Sequence, residues 1–375
     1  MKITILQGAF LPVPALRGGA IEKAWEALGQ EFSKLGHDVT HISRFCDGLP
    51  KRENIDLVQH IRVKGFDSAK NPVLLKLKEL IYVSRCKKII PHADIIVTHA
   101  FWAPILLKNK KFGKMYVHVG RYPKGQLKYY SRANRFQVPS SAIEKAVLNE
   151  IPSRINSVKV LPYPIYWKSD SGVEFSNRSK KILYLGRIHP EKGILELIKS
   201  FKNISSEFRK DWKLHIRGPW KTKQGGGGKA FYEKLKSELY EFRNQIKVDE
   251  PLFSQVDLKK ELDSAQIFVY PSKAEYGETF GLSVLEAMSC GCVPVVSSLE
   301  CFKDLITHKK NGYVFNHQNQ SMVSSMTDCL NDVLLAEKRN LEMSKACVLK
   351  AKEYQLNKIA PKFISDFEAL AHSSI

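Results

Sequence analysis

The stretch that most restricts what this chain can fold into spans residues 266–297. Residues 266–270, Gln-Ile-Phe-Val-Tyr, form a short apolar run closed by Pro271 and Ser272, the pattern of a buried strand. A loop containing Gly277 and Gly281 follows. Residues 282–288 place apolar side chains at helical spacing and stop at Gly291, and residues 292–297 read as another buried strand. Strand, glycine loop, helix, strand is a βαβ unit. Its loop lies beyond the carboxyl end of a strand, where open parallel sheets bind ligands.

The chemistry of that loop narrows the reading. The helix presents free amides over Phe280, Gly281, Leu282 and Ser283, and its dipole favours an anion there. Glu278 stands just before the helix and Glu286 within it, eight residues apart, a helical span of about 12 Å. A diphosphate with a hydroxylated ring at each end has a similar reach, so one carboxylate for each ring is a sensible arrangement. The plain alternative makes Glu286 a solvated helix residue and Glu278 a loop charge. A second segment offers matching cations. Residues 181–185 read as a strand ending at Gly186 and Arg187, with Lys192 just before a helix starting near Gly193. Arg187 offers a planar fork for phosphate oxygens and Lys192 a second positive charge. Pairing of both with Glu191 or Glu196 is the structural alternative.

Together, residues 181–193 and 271–291 resemble the signatures of the retaining glycosyltransferases of family four, whose Glu-x7-Glu motif matches Glu278 and Glu286. The resemblance is strong in the second half of the chain and loose in the first. It implies the GT-B architecture, an α/β fold of two Rossmann-like parallel-sheet domains facing across a cleft, with a C-terminal helix packing back on the first domain. It also implies roles. Glu278 would hold the donor sugar, Glu286 the ribose, and Gly186, Arg187, Lys192 and the amides of residues 280–283 the diphosphate, with no metal and no cofactor beyond the nucleotide sugar. The front-face attack of that family needs no carboxylate nucleophile.

In the first half, residues 2–7 read as a strand, and a loop with Arg17, Gly18 and Gly19 runs into a helix over 21–35. The resemblance assigns Gly18 and Gly19 to the donor phosphate. Residues 114–119 read as a strand holding His118, either a core histidine or, as the resemblance implies, a catalytic residue at the donor sugar. Two departures from the family pattern touch the acceptor side: Gly120-Arg121 follows His118, and residues 160–165 read Val-Leu-Pro-Tyr-Pro-Ile. After Pro72, the apolar Val73, Leu74, Leu77, Leu80 and Ile81 share a helical face, with Lys76, Lys78, Arg85, Lys87 and Lys88 around it. Such a helix either covers a sheet or lies at a membrane surface.

The expected organisation is a first domain over 1–166, a linker over 167–180, a nucleotide-sugar domain over 181–355 and a returning helix over 356–375. The glycine run of residues 224–229 lacks the order of a phosphate-binding Walker loop and reads as a mobile surface loop. Charge enters the argument through its distribution. Residues 1–165 hold 27 lysines and arginines against 12 aspartates and glutamates, so about +15 of the net +21 lies in the first half. That asymmetry suits a polyanionic surface such as anionic lipid. Seven cysteines without metal spacing and an N-terminus that reads as a strand point to the cytoplasm, peripheral on the membrane's inner face. The function that follows is transfer of a sugar to a glycan or lipid-linked acceptor in lipopolysaccharide, capsule or related assembly, with no nucleic-acid partner. The alternatives are a nucleotide-sugar epimerase of the same fold and a noncatalytic binder of polyanions or glycans.

Overall fold

A computed structural model describes residues 1–16, 19–69, 71–167, 169, 173–318 and 321–372. The chain divides into two compact units, one of Met1–Tyr166 with Tyr354–Ile375 and one of Trp167–Glu353. In the first unit the elements are β1 (Lys2–Leu6), α1 (Ala20–Lys34), β2 (Asp38–Arg44), β3 (Arg52–Ile55), β4 (Val58–Val63), α2 (Pro72–Ile89), β5 (Ile95–Thr98), α3 (Ala103–Leu106), β6 (Lys114–His118), β7 (Ala133–Val138), α4 (Ser141–Glu150) and β8 (Val158–Val160). The second unit holds β9 (Ser179–Leu185), α5 (Ile194–Asn203), α6 (Ser206–Arg209), β10 (Lys213–Arg217), α7 (Lys229–Leu239), β11 (Ile246–Asp249), α8 (Gln255–Asp263), β12 (Ala265–Tyr270), α9 (Leu282–Ser289), β13 (Val293–Ser297), β14 (Tyr313–Phe315), α10 (Met322–Leu335) and α11 (Glu337–Ala351). The helix α12 (Leu356–His372) belongs to the first unit.

Each unit is built on one sheet. The first runs in the order β3-β4-β2-β1-β5-β6-β7-β8, parallel except for β3, which pairs antiparallel with β4. The second, β11-β10-β9-β12-β13-β14, is parallel throughout. Helices on both faces of a parallel sheet leave its strands no wet side, so they read as continuous apolar runs. β12 and β13 are buried along their whole length. In the second sheet the chain winds outward from β9 to β10 and β11 on one side and through β12 to β14 on the other. The order therefore reverses between β9 and β12, and the two carboxyl ends there, Leu185 and Tyr270, open the crevice in which such sheets take ligands.

α12 packs back on the first unit, as the resemblance implied. Phe363 meets Trp25 edge to face at 5.2 Å, and Phe367 meets Phe32 at 5.6 Å and Tyr116 at 4.8 Å. Asp366, buried in the same contact, accepts from the Tyr116 hydroxyl at 3.0 Å and from Arg135 at 2.7 Å.

Two expectations give way. Residues 224–229 are no mobile loop: the Gly226 amide donates to Lys221, Gly227 to the Ile188 carbonyl at 2.8 Å and Gly228 to the Trp220 carbonyl at 2.8 Å. Glycine is needed because a Cβ at Gly226 would lie 2.2 Å from the Trp220 backbone. Nor does the apolar stripe of α2 cover a sheet. The helix buries Glu79, Tyr82, Val83 and Cys86, keeps Leu80 half-buried and turns Val73, Leu74, Leu77 and Ile81 outward. In the stretch read as a linker, Phe175 is buried, and Arg178 is buried with its guanidinium donating to the carbonyls of Val173, Ala265 and Cys290.

Candidate active site

At the β9–β12 reversal the strand ends position the side chains. Gly186 follows β9 and donates to the Arg217 carbonyl at 3.1 Å. Arg187 leaves the sheet edge with its guanidinium on the Glu191 carboxylate at 2.8 Å and the Gly225 carbonyl at 2.9 Å. Both members of the Arg187–Glu191 pair are about two-fifths exposed, so the pair is worth at most about 1 kcal/mol and yields readily to a bound anion. Gly225, from the glycine run, is thus a partner of Arg187 that sequence reasoning missed.

Lys192 behaves differently. It is buried, and its ammonium pairs directly with the Glu278 carboxylate. Tyr270, the last residue of β12, donates its hydroxyl to the same Glu278 oxygen at 3.1 Å. Tyr184 stacks on Tyr270 at 5.8 Å and donates to the Arg187 carbonyl at 2.8 Å. Burial, with the Glu278 charge adding to it, pushes both phenols well above their usual value, so they stay protonated donors. Lys192 does not pair with Glu196, which instead takes Lys273 at 2.5 Å. The loop carrying Glu278 is tied down on its other side by His317, which bonds Glu275 at 2.6 Å and Ser298 at 2.8 Å. Tyr184 and Tyr270 look like core in the sequence because they stand in apolar strands, and His317 carries no motif beyond the end of β14.

α9 starts at Leu282 with Gly281 in the left-handed region, at φ 89°, and no side chain caps it. A Cβ at Gly281 would also meet the Phe302 ring at 2.6 Å, so glycine is required on both counts. The Phe280 ring is buried, which holds the turn, and Leu282 and Ser283 are half-buried at the first helical turn. Glu278 and Glu286 are each only 8% exposed. Neither is the solvated charge that the plain alternative supposed. Buried carboxylates are retained where they are paired or bonded, as Glu278 is here.

The remaining predicted residues belong to the first unit. Gly18 and Arg17 lie outside the described residues. Gly19 starts α1 at φ 120°, and a Cβ there would clash with the Glu22 carboxylate. Glu22 is half-buried, and its loss of water raises its pKa against the opposing pull of its own backbone amide and then of Arg121. His118 ends β6 with both ring nitrogens engaged: Nδ1 bonds the Gln137 side chain and Nε2 the Tyr163 hydroxyl at 2.9 Å. Burial lowers its pKa to about 4, so the ring is neutral. Tyr163 comes from the segment 160–165 that departed from the family pattern, and Gly120 leaves room for His118, since a Cβ there would lie 2.5 Å from Nε2. Both departures are thus explained by packing around His118.

Residues 167–347, nearly all of the second unit, match the family described as glycosyl transferases group 1. The second unit is a glycosyl transferases group 1 domain. Relatives extend the likeness over both units. The chain is 26% identical to a protein of Methanocaldococcus jannaschii named uncharacterized glycosyltransferase MJ1607, over 82% of this chain and 84% of that one. It is 28% identical to the lipopolysaccharide 1,2-N-acetylglucosaminetransferase of Salmonella typhimurium over 48% of this chain and 46% of that one. Among solved structures, Anabaena HepE in complex with UDP and glucose superposes with a TM-score of 0.71 at 15% identity, covering 98% of this chain and all of that one. The fold is that of the GT-B glycosyltransferases, and the chain is a glycosyltransferase whose group 1 domain carries Arg187, Lys192, Glu278 and Glu286.

Proposed function

We propose that the chain moves a hexosyl group from a nucleoside diphosphate sugar to an acceptor hydroxyl with retention of anomeric configuration. The observation that carries this reading is the buried Lys192–Glu278 pair, braced by Tyr270, beside the half-exposed Arg187 at the reversal point of the second sheet. Charge develops on the leaving diphosphate as the glycosidic bond breaks. Preorganised cations and helix amides stabilise such charge best where water is excluded. Arg187, Lys192 and the amides at the start of α9 supply them, and in this reading they serve in place of a divalent ion. Glu278 orients the sugar hydroxyls, and Glu286, on the next turns of α9, takes the ribose.

The acceptor is a lipid-linked glycan of lipopolysaccharide, capsule or related assembly, met at a membrane surface by the basic first unit on the cytoplasmic side. Two observations favour this: the charge concentrated over residues 1–165 and the Salmonella relative, whose name specifies lipopolysaccharide. No helix among the described residues is long and apolar enough to cross a membrane. The test is single-turnover transfer from each UDP-, GDP- and ADP-sugar, with the product's anomeric configuration read by NMR and the assay repeated in chelator. Product of inverted configuration, or activity lost in chelator and restored by a divalent ion, overturns the mechanism. Conversion of the donor sugar without acceptor points to an epimerase.

A further inference from the structure

The outward face of α2 is unusual for the side of a soluble protein. Val73 is 77% exposed, Leu74 45%, Leu77 50% and Ile81 39%. Leu77 lies four residues after Val73 and three after Leu74, and Ile81 four after Leu77, so they form a single stripe about 12 Å long on the helix. The polar sequence of α2 does not shield it. Its one acidic residue, Glu79, is on the inner face, buried, accepting from the Phe101 amide at 3.0 Å. The five cations of the helix flank the stripe or extend from its end: Lys76 lies over the Phe101 ring, Lys78 reaches the Asp67 carbonyl, Arg85 reaches the Lys64 carbonyl, and Lys87 and Lys88 are exposed in the last turn. The exposed Lys110 and Lys111 lie next in the fold, since the Lys111 carbonyl accepts from Ala93, just past the end of α2.

A solvated amphipathic helix buries its apolar stripe and wets its charges. α2 buries Tyr82, Val83 and Cys86 but also its one carboxylate, and it leaves four aliphatic side chains out. Contiguous exposed apolar surface of this kind marks a site of interaction. Its chemistry selects the partner. A protein partner would answer the lysines with specific carboxylates on a shaped surface, whereas an apolar strip bordered on its length by cations matches the interface of an anionic bilayer, aliphatic below and negative at the headgroups.

We propose that α2 is the membrane-docking element of this chain: Val73, Leu74, Leu77 and Ile81 enter the acyl boundary of an anionic leaflet while Lys78, Arg85, Lys87 and Lys88 sit at its phosphates. The inference rests on the reading that the acceptor is membrane-borne, and it adds which surface makes the contact and which lipid charge it requires.

Vesicle sedimentation tests it, using phosphatidylcholine vesicles with and without phosphatidylglycerol. The full chain should bind the anionic vesicles, and raised salt should weaken binding because exposed charges are screened. Leu77→Ser with Ile81→Ser should reduce partitioning at least tenfold. Lys87→Gln with Lys88→Gln should reduce it about 25-fold, at about fivefold for each lysine near an anionic surface. All four side chains are on the surface, so unchanged melting temperatures certify folding. If the wild type binds and both double variants bind equally well, α2 is not the docking element, although the membrane reading stands. If the wild type binds no vesicles, both readings fail. A concentration-dependent dimer that the Leu77→Ser/Ile81→Ser change dissolves, with no vesicle binding, assigns the stripe to a second copy and overturns the proposal.

Discussion

Replacing Lys192 by methionine keeps the side-chain stem and removes only the charge. In the structure this leaves the Glu278 carboxylate buried with the Tyr270 hydroxyl as its side-chain donor. Breaking a buried pair from one side costs about 3–5 kcal/mol, because the surviving charge has lost both water and partner. The carboxylate has one escape, to take up a proton. With an ordinary glutamate value near 4.3, that uptake at pH 7 costs about 2.7 pH units at 1.36 kcal/mol each, or about 4 kcal/mol. Proton uptake therefore caps the loss at about 4 kcal/mol at pH 7 and at about 1 kcal/mol at pH 5. The sign follows from linkage: in the variant the native state binds the extra proton, so its deficit shrinks as pH falls. The assay is urea unfolding of wild type and variant at pH 7 and pH 5. Lys192→Met with Glu278→Gln should recover most of the loss, since no unpaired charge remains. A deficit below 1 kcal/mol at pH 7, or an equal deficit at both pH values, would refute the buried pair.

Three further outcomes follow from the packing. Gly218→Ala brings a Cβ within 1.7 Å of the Gly186 carbonyl oxygen, a backbone atom that cannot step aside, so the change should cost about 2–3 kcal/mol in urea unfolding and weaken nucleotide binding by shifting Arg187. Asp366→Ala removes the acceptor of Tyr116 and Arg135 under α12, and a loss of about 2–3 kcal/mol with faster proteolysis of the C-terminal helix is expected; an unchanged digestion pattern would show that the aromatic contacts alone dock the helix. His60 stacks on His41 within the first sheet, and burial lowers its pKa to about 4 from 6.5. The unfolded chain thus binds the proton first, so this histidine lowers stability as pH falls from about 6.5 to about 4. His60→Phe removes that contribution, and the variant should gain on the wild type by up to about 1.4 kcal/mol per pH unit across this window, read from melts; parallel curves would contradict the buried, uncharged ring.

The second unit was legible because its strands are buried on both faces. Runs such as Ile267–Tyr270 and Val293–Ser297 need no periodicity to be recognised, and glycines mark where the chain turns beneath a ligand. The first unit hid more. The hairpin of β3 and β4 lies at the sheet edge, and β3, Arg52-Glu53-Asn54-Ile55, holds a single apolar residue and so gives no strand signal. β7 and β8 are short and carry Arg135 and Lys159. In α2 the period of the apolar positions is helical, but periodicity says nothing of which face meets the core. Tyr82, Val83 and Cys86 together outweigh the leucine stripe because they fit between α2 and the sheet. At the candidate site, spacing singles out the charged residues in the sequence, while the groups that bond them carry no such mark. Tyr270, Gly225 and Tyr163 act through bonds that only the folded chain makes, to Glu278, Arg187 and His118.

The most direct test is calorimetric titration of the full chain with UDP, GDP and ADP and their sugars, beside Arg187→Ala. That residue is partly exposed, and its loss should leave the fold intact. One nucleotide should bind selectively, its sugar more tightly, and Arg187→Ala should weaken both about tenfold or more by removing a charge-assisted contact to the diphosphate. A folded wild type that binds none of these nucleotides, or an Arg187→Ala variant that binds the selected one equally well, would contradict a donor site at the reversal of the second sheet.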